Sequence, residues 1–287
     1  MTFEIQRKDI IDKCPYKERS VGYYPAFLID PCILPLENLS ACKAEGYGKY
    51  QTIMLSSPQP LPHGHYARLI IAYLTTQICR RPELPSHTIA HSVSELFKIV
   101  TGQNQISGGT YAHFLNALER VFDTTFEVVS TNKSKDKMQR GGFFAEADNS
   151  LDCENGIGHF NAKYKQVTYT PSNSFRALIT DDKSVIPVDL RFLQLARRKN
   201  IVLVHDLYIY LVRRCYGENR VRFVPWKTLH NDIFPYVNKL SFSRFKRRFI
   251  RALDFINFCH PHAKIIVDQN DKGLIISSNS NLLRGKG

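Results

Sequence analysis

The chain has 287 residues, 43% of them hydrophobic and 11% aromatic, which excludes a disordered segment and leaves room for two domains with their own cores. Its 39 Lys and Arg outnumber 26 Asp and Glu, giving a net charge of +13. Such an excess favours polyanions, with nucleic acid ahead of membrane surfaces or acidic proteins.

Residues 1–60 read as a partly irregular arm with a strand near Tyr50 to Leu55. The stretch MTFEIQRKDIIDK is charged where a signal peptide needs an apolar run. The arm ends at Pro58-Gln59-Pro60-Leu61-Pro62, which breaks regular structure.

A first domain is expected over 61–155. An amphipathic helix runs from about His65 to Arg80, followed by an extended piece, His87 to His91. A helix over Ser92 to Val100 has Ser92 or Ser94 to cap it. The turn Ser107-Gly108-Gly109 leads into a third helix, Thr110 to Phe122. Thr124 to Ser130 alternates as a strand, the polar stretch Thr131 to Gly142 reads as a loop, and Gly142 to Ala147 returns as a second strand.

The second domain, 156–287, repeats the plan. Helices are expected at Val188 to Arg198 and Ile201 to Tyr216, and a strand at Val221 to Val224. Pro225 and Trp226 open a helix to Asp232. Ser241 to Phe258 is the third helix. Strands Ala263 to Asp268 and Leu274 to Ser278 flank a turn in which Gly273 is expected to supply a positive φ. Helix, strand, helix, helix, strand, strand is the order of a winged helix, whose third helix enters a DNA groove. The expected fold is thus α/β of the α+β kind, with two tandem winged-helix domains.

The helix beginning at Ser241 carries the strongest chemical pattern. At about 100° per residue, Phe242, Phe245, Phe249, Ala252, Leu253 and Ile256 share one arc. Arg244, Arg247, Arg248 and Arg251 share the opposite one. Between Lys239 and Leu253 there are six cations and no carboxylate. Like charges without counter-charges repel one another, and guanidinium forks fit phosphate oxygens or guanine edges. Lys246 projects toward the apolar side, and Lys272 sits in the expected wing turn. An ordinary solvated face would mix both signs.

In the first domain's third helix, Tyr111, Phe114, Leu115, Leu118, Val121 and Phe122 should be buried. Thr110, His113, Asn116 and Arg120 should face outward, able to hydrogen-bond bases or phosphates. Lys133, Lys135, Lys137 and Arg140 on the following loop suit a wing lying on the phosphate backbone.

Chemistry of other kinds finds little support. His63-Gly64-His65 and His260-Pro261-His262 have the alternate spacing of a nicking enzyme's metal strand, with Tyr164 or Tyr169 as nucleophile. Gly and Pro are poor residues for such a strand. There is no phosphate loop and no Gly-x-Ser-x-Gly elbow. Seven scattered cysteines offer no zinc spacing and read as reduced thiols. The longest apolar run, IVLVHDLYIYLV, is broken by His205 and Asp206 and is about half a membrane span. No cofactor, metal, membrane partner or enzymatic activity is expected, and the protein reads as cytoplasmic.

From about Leu61 to Ser278 the chain resembles the RepA family of plasmid replication initiators. The resemblance lies in Leu61-Pro62-His63-Gly64-His65-Tyr66-Ala67-Arg68-Leu69, Ser94-Glu95-Leu96-Phe97, Gly108-Gly109-Thr110 and Leu118-Glu119-Arg120-Val121-Phe122. It continues in Ile186-Pro187-Val188-Asp189-Leu190, Asp206-Leu207-Tyr208-Ile209-Tyr210-Leu211, Trp226-x-x-Leu229 and Phe245-x-x-x-Phe249. It implies an initiator that binds repeated duplex DNA sites at an origin and promotes opening of nearby AT-rich DNA. It also implies recruitment of host replication proteins including the replicative helicase, repression of its own promoter, and distinct roles for homodimer and monomer. Alternatives are a winged-helix repressor, a metal-dependent rolling-circle nicking enzyme, or a structural protein that holds acidic partners.

Overall fold

The computed structural model describes residues 21–29, 31–38, 40–41, 43–47, 51–132, 135–144, 167–180, 184–198, 201–215, 221–235, 240–261, 263, 265–277 and 282. Strands are β1 (Val21–Pro25), β2 (Lys43–Tyr47), β3 (Gln51–Ser56), β4 (His87–Ala90), β5 (Thr125–Asn132), β6 (Lys135–Gly142), β7 (Val167–Tyr169), β8 (Val185–Asp189), β9 (Arg222–Pro225), β10 (Ile265–Val267) and β11 (Gly273–Ile276). Helices are α1 (Gly64–Arg80), α2 (Val93–Thr101), α3 (Gly108–Asp123), α4 (Asn173–Ile179), α5 (Leu190–Arg198), α6 (Leu203–Cys215), the short α7 (Trp226–Thr228, widened through Leu229–Ile233) and α8 (Phe242–Cys259). The fold is α+β, with two tandem winged-helix-like units as the sequence pattern requires.

The second unit has the full pattern: α6, β9, α7, α8, then the β10–β11 hairpin, in a sheet of order β10-β11-β9. In the first unit, α1, α2 and α3 precede the hairpin β5–β6, but β4 pairs with β7 instead of joining it. Two strands from the expected arm take its place. β2 pairs with β3 and β3 with β5, making the sheet β2-β3-β5-β6, while β1 crosses to pair with β8. Strand pairing therefore runs across both expected boundaries, near 60 and near 155. Chain pairing is a tertiary property, and the Pro-rich run at 58–62 marks only a local break.

Local chemistry fixes several ends. Ser92 caps α2 by accepting from the Glu95 amide at 3.1 Å, and Glu95 reaches back to the His91 amide at 2.6 Å. Gly102 closes the same helix with φ 65, a left-handed conformation that costs glycine nothing. The stretch expected to be a loop from Thr131 to Gly142 is instead mostly strand β6, paired from Asn132↔Lys135 to Thr125↔Gly142. Backbone ladder bonds do not depend on side-chain polarity, and β6 is an edge strand, where polar and cationic residues are common.

Gly273 also departs from expectation. The positive φ of the β10–β11 turn belongs to Asp271, at 57°. Gly273 pairs with Pro225, and a Cβ there would lie 2.3 Å from the Val224 carbonyl oxygen. Gly273→Ala should therefore destabilise the protein by about 1–3 kcal/mol through overpacking, measured as a lower urea midpoint at unchanged slope.

One continuous apolar core joins the units. Leu69, Ile70, Ile71 and Leu74 of α1, Phe192 and Leu193 of α5, and Leu207, Ile209 and Leu211 of α6 are all buried in it. Within it, Arg68 of α1 is 0% exposed. Its Nε and Nη2 donate to Asp206 Oδ1 and Oδ2 of α6, both at 2.6 Å. Nη2 also donates to Leu34 O, and Nη1 to Pro35 O and Gly64 O. All five guanidinium protons are thus used, and the fork ties the two units to the segment that follows β1.

Candidate nucleic-acid interface

α8 is long enough to carry two faces, and the unit's aromatic residues decide which one is inward. Phe245, Phe249, Ala252, Leu253 and Ile256 are buried, with Phe249 against Trp226 at 5.2 Å and Phe234 at 5.8 Å between ring centroids. Phe242, expected in the buried arc, is 43% exposed because it lies in the first turn of α8, where the His230 ring stands beside it. Phe255, outside that arc, is buried against Phe192, so the far end of α8 is enclosed on a second side.

Arg244, Arg247 and Arg251 are exposed and meet no carboxylate among the described residues. Arg248 reaches Glu37 Oε1 at 3.4 Å, with the two side chains 52% and 71% exposed. An ion pair so open to water contributes little. Lys246 differs in kind: its ammonium bonds the Asp271 carboxylate and lies 5.5 Å from the centre of the Trp226 ring. It fastens the wing turn to α8 and leaves the basic face to the arginines. Lys272, beside Asp271, is exposed at the tip. Lys239, Lys133 and His262 lie outside the described residues.

In the first unit, α3 keeps His113 and Asn116 outward as expected but is rotated enough to turn Arg120 inward. Phe114, Ala117, Leu118 and Val121 are buried, while Tyr111, Leu115 and Phe122 are only partly so. Arg120, expected outside, is 8% exposed, and its Nη1 donates to His63 Nδ1 at 2.8 Å. A partner 57 positions away in sequence draws the guanidinium inward. His113 and Asn116 are exposed, and Thr110 is half-buried, its hydroxyl taking a 2.6 Å bond from Ser107. Lys135, Lys137 and Arg140 fall on β6, and Arg140 is exposed.

The histidine spacing that could suggest a metal strand is put to other uses. His63 is the residue before α1 and serves Arg120, whereas His65 Nδ1 faces His205 Nδ1 at 3.4 Å. His260 packs against Tyr208 and Phe192. Among the described residues no group of three His, Cys, Asp or Glu side chains could hold a metal ion. No helix among them is long and apolar enough to cross a membrane.

Burial holds the His205 imidazole well below its ordinary value of 6.5, with His65 and Arg68 adding to the shift. His63 and His87 are lowered in the same direction, again first by burial. The unfolded chain takes up these protons near 6.5 and the folded chain only at lower pH. The corresponding stability is therefore complete above the unfolded value and lost as pH falls below it. Thermal midpoints should be level above about pH 7 and drop below about pH 6.5, and His205→Leu should flatten the slope. A midpoint that rises on acidification would contradict the buried, neutral imidazole.

Comparison with known proteins places the architecture. No protein-family model and no curated protein sequence matches the chain. Among solved structures it is similar to SeMet derivatives of domain 2 and domain 3 of RctB, at TM-score 0.56 and 14% identity, and to RctB domains 2-3 (RctB-155-483), at TM-score 0.50 and 15% identity. Each match covers 88% of this chain and 97% of the RctB chain. The chain has the fold of that two-domain portion of RctB.

Proposed function

We propose that the protein is a replication initiator that binds repeated duplex DNA sites at a plasmid origin through both winged helices. The observation that carries the reading is the outer face of α8, where Arg244, Arg247 and Arg251 project with no counter-charge among the described residues, opposite a buried row of phenylalanines. Holding such a face costs self-repulsion, which a polyanion relieves, and guanidinium forks suit phosphates and guanine edges. Lys272 on the wing would meet the adjacent backbone. The tandem arrangement, the net charge of +13 and the resemblance to RepA initiators support the same assignment.

In this reading, opening of AT-rich DNA draws on binding energy and duplex deformation, without nucleotide hydrolysis or strand cleavage by the chain itself. Host replication proteins, including the replicative helicase, then act on the opened strand in the cytoplasm. The test is a circular DNA carrying only this gene, its flanking sequence and a selectable marker. Colonies after transformation, together with a footprint on repeated sites, are expected. A footprint without colonies would favour a repressor, a Mg²⁺-dependent relaxed circle a nicking enzyme, and binding indifferent to sequence would overturn the proposal.

A further inference from the structure

We infer that the outward stripe of α3 reads an adenine, through the amide of Asn116, and so supplies sequence choice while α8 supplies charge. The inference rests on the DNA-binding reading above and assigns a distinct task to its first unit. Gly109, Ala112, His113 and Asn116 are all exposed and lie at positions i, i+3, i+4 and i+7, one stripe of the helix. The stripe contains no lysine, arginine or carboxylate. The helix's arginine, Arg120, is turned inward to His63 and is unavailable to phosphates.

Deprived of charge, this helix can offer a groove little electrostatic grip. Its contribution is hydrogen bonding and shape. The exposed Asn116 side chain has no hydrogen-bond partner among the described residues, so its acceptor Oδ1 and its donor Nδ2 are both left for a ligand. Asparagine in a helix interior is less favourable than alanine or glutamate, so fold stability gives no reason for it there. The pairing that uses both atoms at once is with adenine in the major groove: Oδ1 accepts from the N6 amino group and Nδ2 donates to N7. Gly109 and Ala112 on the same stripe are small enough to let base edges approach that amide.

The experiment begins with selection of binding sites by the full chain from random duplex DNA. It is repeated with Asn116→Ala and Asn116→Asp, each checked for an unchanged thermal midpoint. In the wild-type selection one base-pair column should be fixed as adenine, and in both variants that column alone should relax. On the selected duplex Asn116→Ala should weaken binding by roughly 5- to 150-fold. Replacing the fixed adenine by 7-deaza-adenine should weaken the wild type but leave Asn116→Ala unaffected. If the variants select the same columns as the wild type, or lose affinity equally for all sequences, the assignment to adenine is overturned while DNA binding stands. If the wild type enriches no sequence at all, the proposed function fails and this inference fails with it.

Discussion

Replacing Arg68 by Ala, or Asp206 by Ala, should lower the unfolding free energy by about 3–5 kcal/mol, read from urea denaturation. Both side chains are buried, and each is the other's counter-ion through two 2.6 Å bonds. Removing one strands a charge where water cannot reach it, and in the Asp206 variant five donors must make do with three carbonyl oxygens. Arg68→Lys should fail almost as badly, because an ammonium cannot span both carboxylate oxygens and the carbonyls of Leu34, Pro35 and Gly64. Replacing the pair together by Met and Leu should recover most of the loss, since a buried ion pair often contributes little net stability against apolar residues of similar volume. The pair also joins α1 to α6 inside one core, so the wild type should melt in one transition and the single variants in a broader or split one. A loss below about 1 kcal/mol in both single variants would show that the pair is not sealed from water.

Much of the architecture was legible because local rules and tertiary demands agree. The serine cap of α2, the apolar stripe of α8 and the repeated element order were all visible as spacing, though only the structure chooses Ser92 over Ser94. What could not be read depended on partners far away in the chain. Arg120 lies on the outward side of a helical projection, yet His63 captures it from the residue preceding α1. The pairing of Arg68 with Asp206 spans 138 positions. A signal for it existed: Asp206 interrupts an apolar run, and a buried carboxylate must find a cation. Arg68, set among Leu69, Ile70 and Ile71, was the matching anomaly. The residues of β6 read as a loop because they are polar, although a ladder bonds backbone whatever the side chains are. Gly273 reads as a turn glycine, whereas its neighbour across the sheet, Val224, is what leaves no room for a side chain. Of the candidate interface, the arginine face of α8 emerged as projected, and the first unit's face emerged rotated, since a projection centred on Tyr111 and Phe122 could not know that Ala117 would be packed and Leu115 only partly so.

Binding of duplex DNA should weaken by roughly 10³ to 10⁵ between about 50 and 200 mM salt if six to ten phosphates are neutralised, because each displaced counterion adds to the slope. The α8 arginines should carry a large part of that slope. Arg244, Arg247 and Arg251 are exposed and have no ion-pair partner among the described residues, so exchanging all three for Gln removes charge without emptying the core, and Gln is nearly as good a helix former as Arg. The triple variant should keep its thermal midpoint while the salt slope falls by as much as about three. Single Arg→Ala changes then sort the contacts. A guanidinium on a phosphate weakens all sequences alike, whereas one on a guanine edge costs about 1–3 kcal/mol on the selected site and little on random DNA. Arg248 should behave differently, because Glu37 already shares its charge. Arg248→Ala should matter less than its neighbours, and Glu37→Gln should tighten binding slightly at low salt by releasing that guanidinium. A salt response that stays nearly flat in the wild type, or an unchanged slope in the triple variant, would mean that the basic face of α8 has some other purpose than holding DNA.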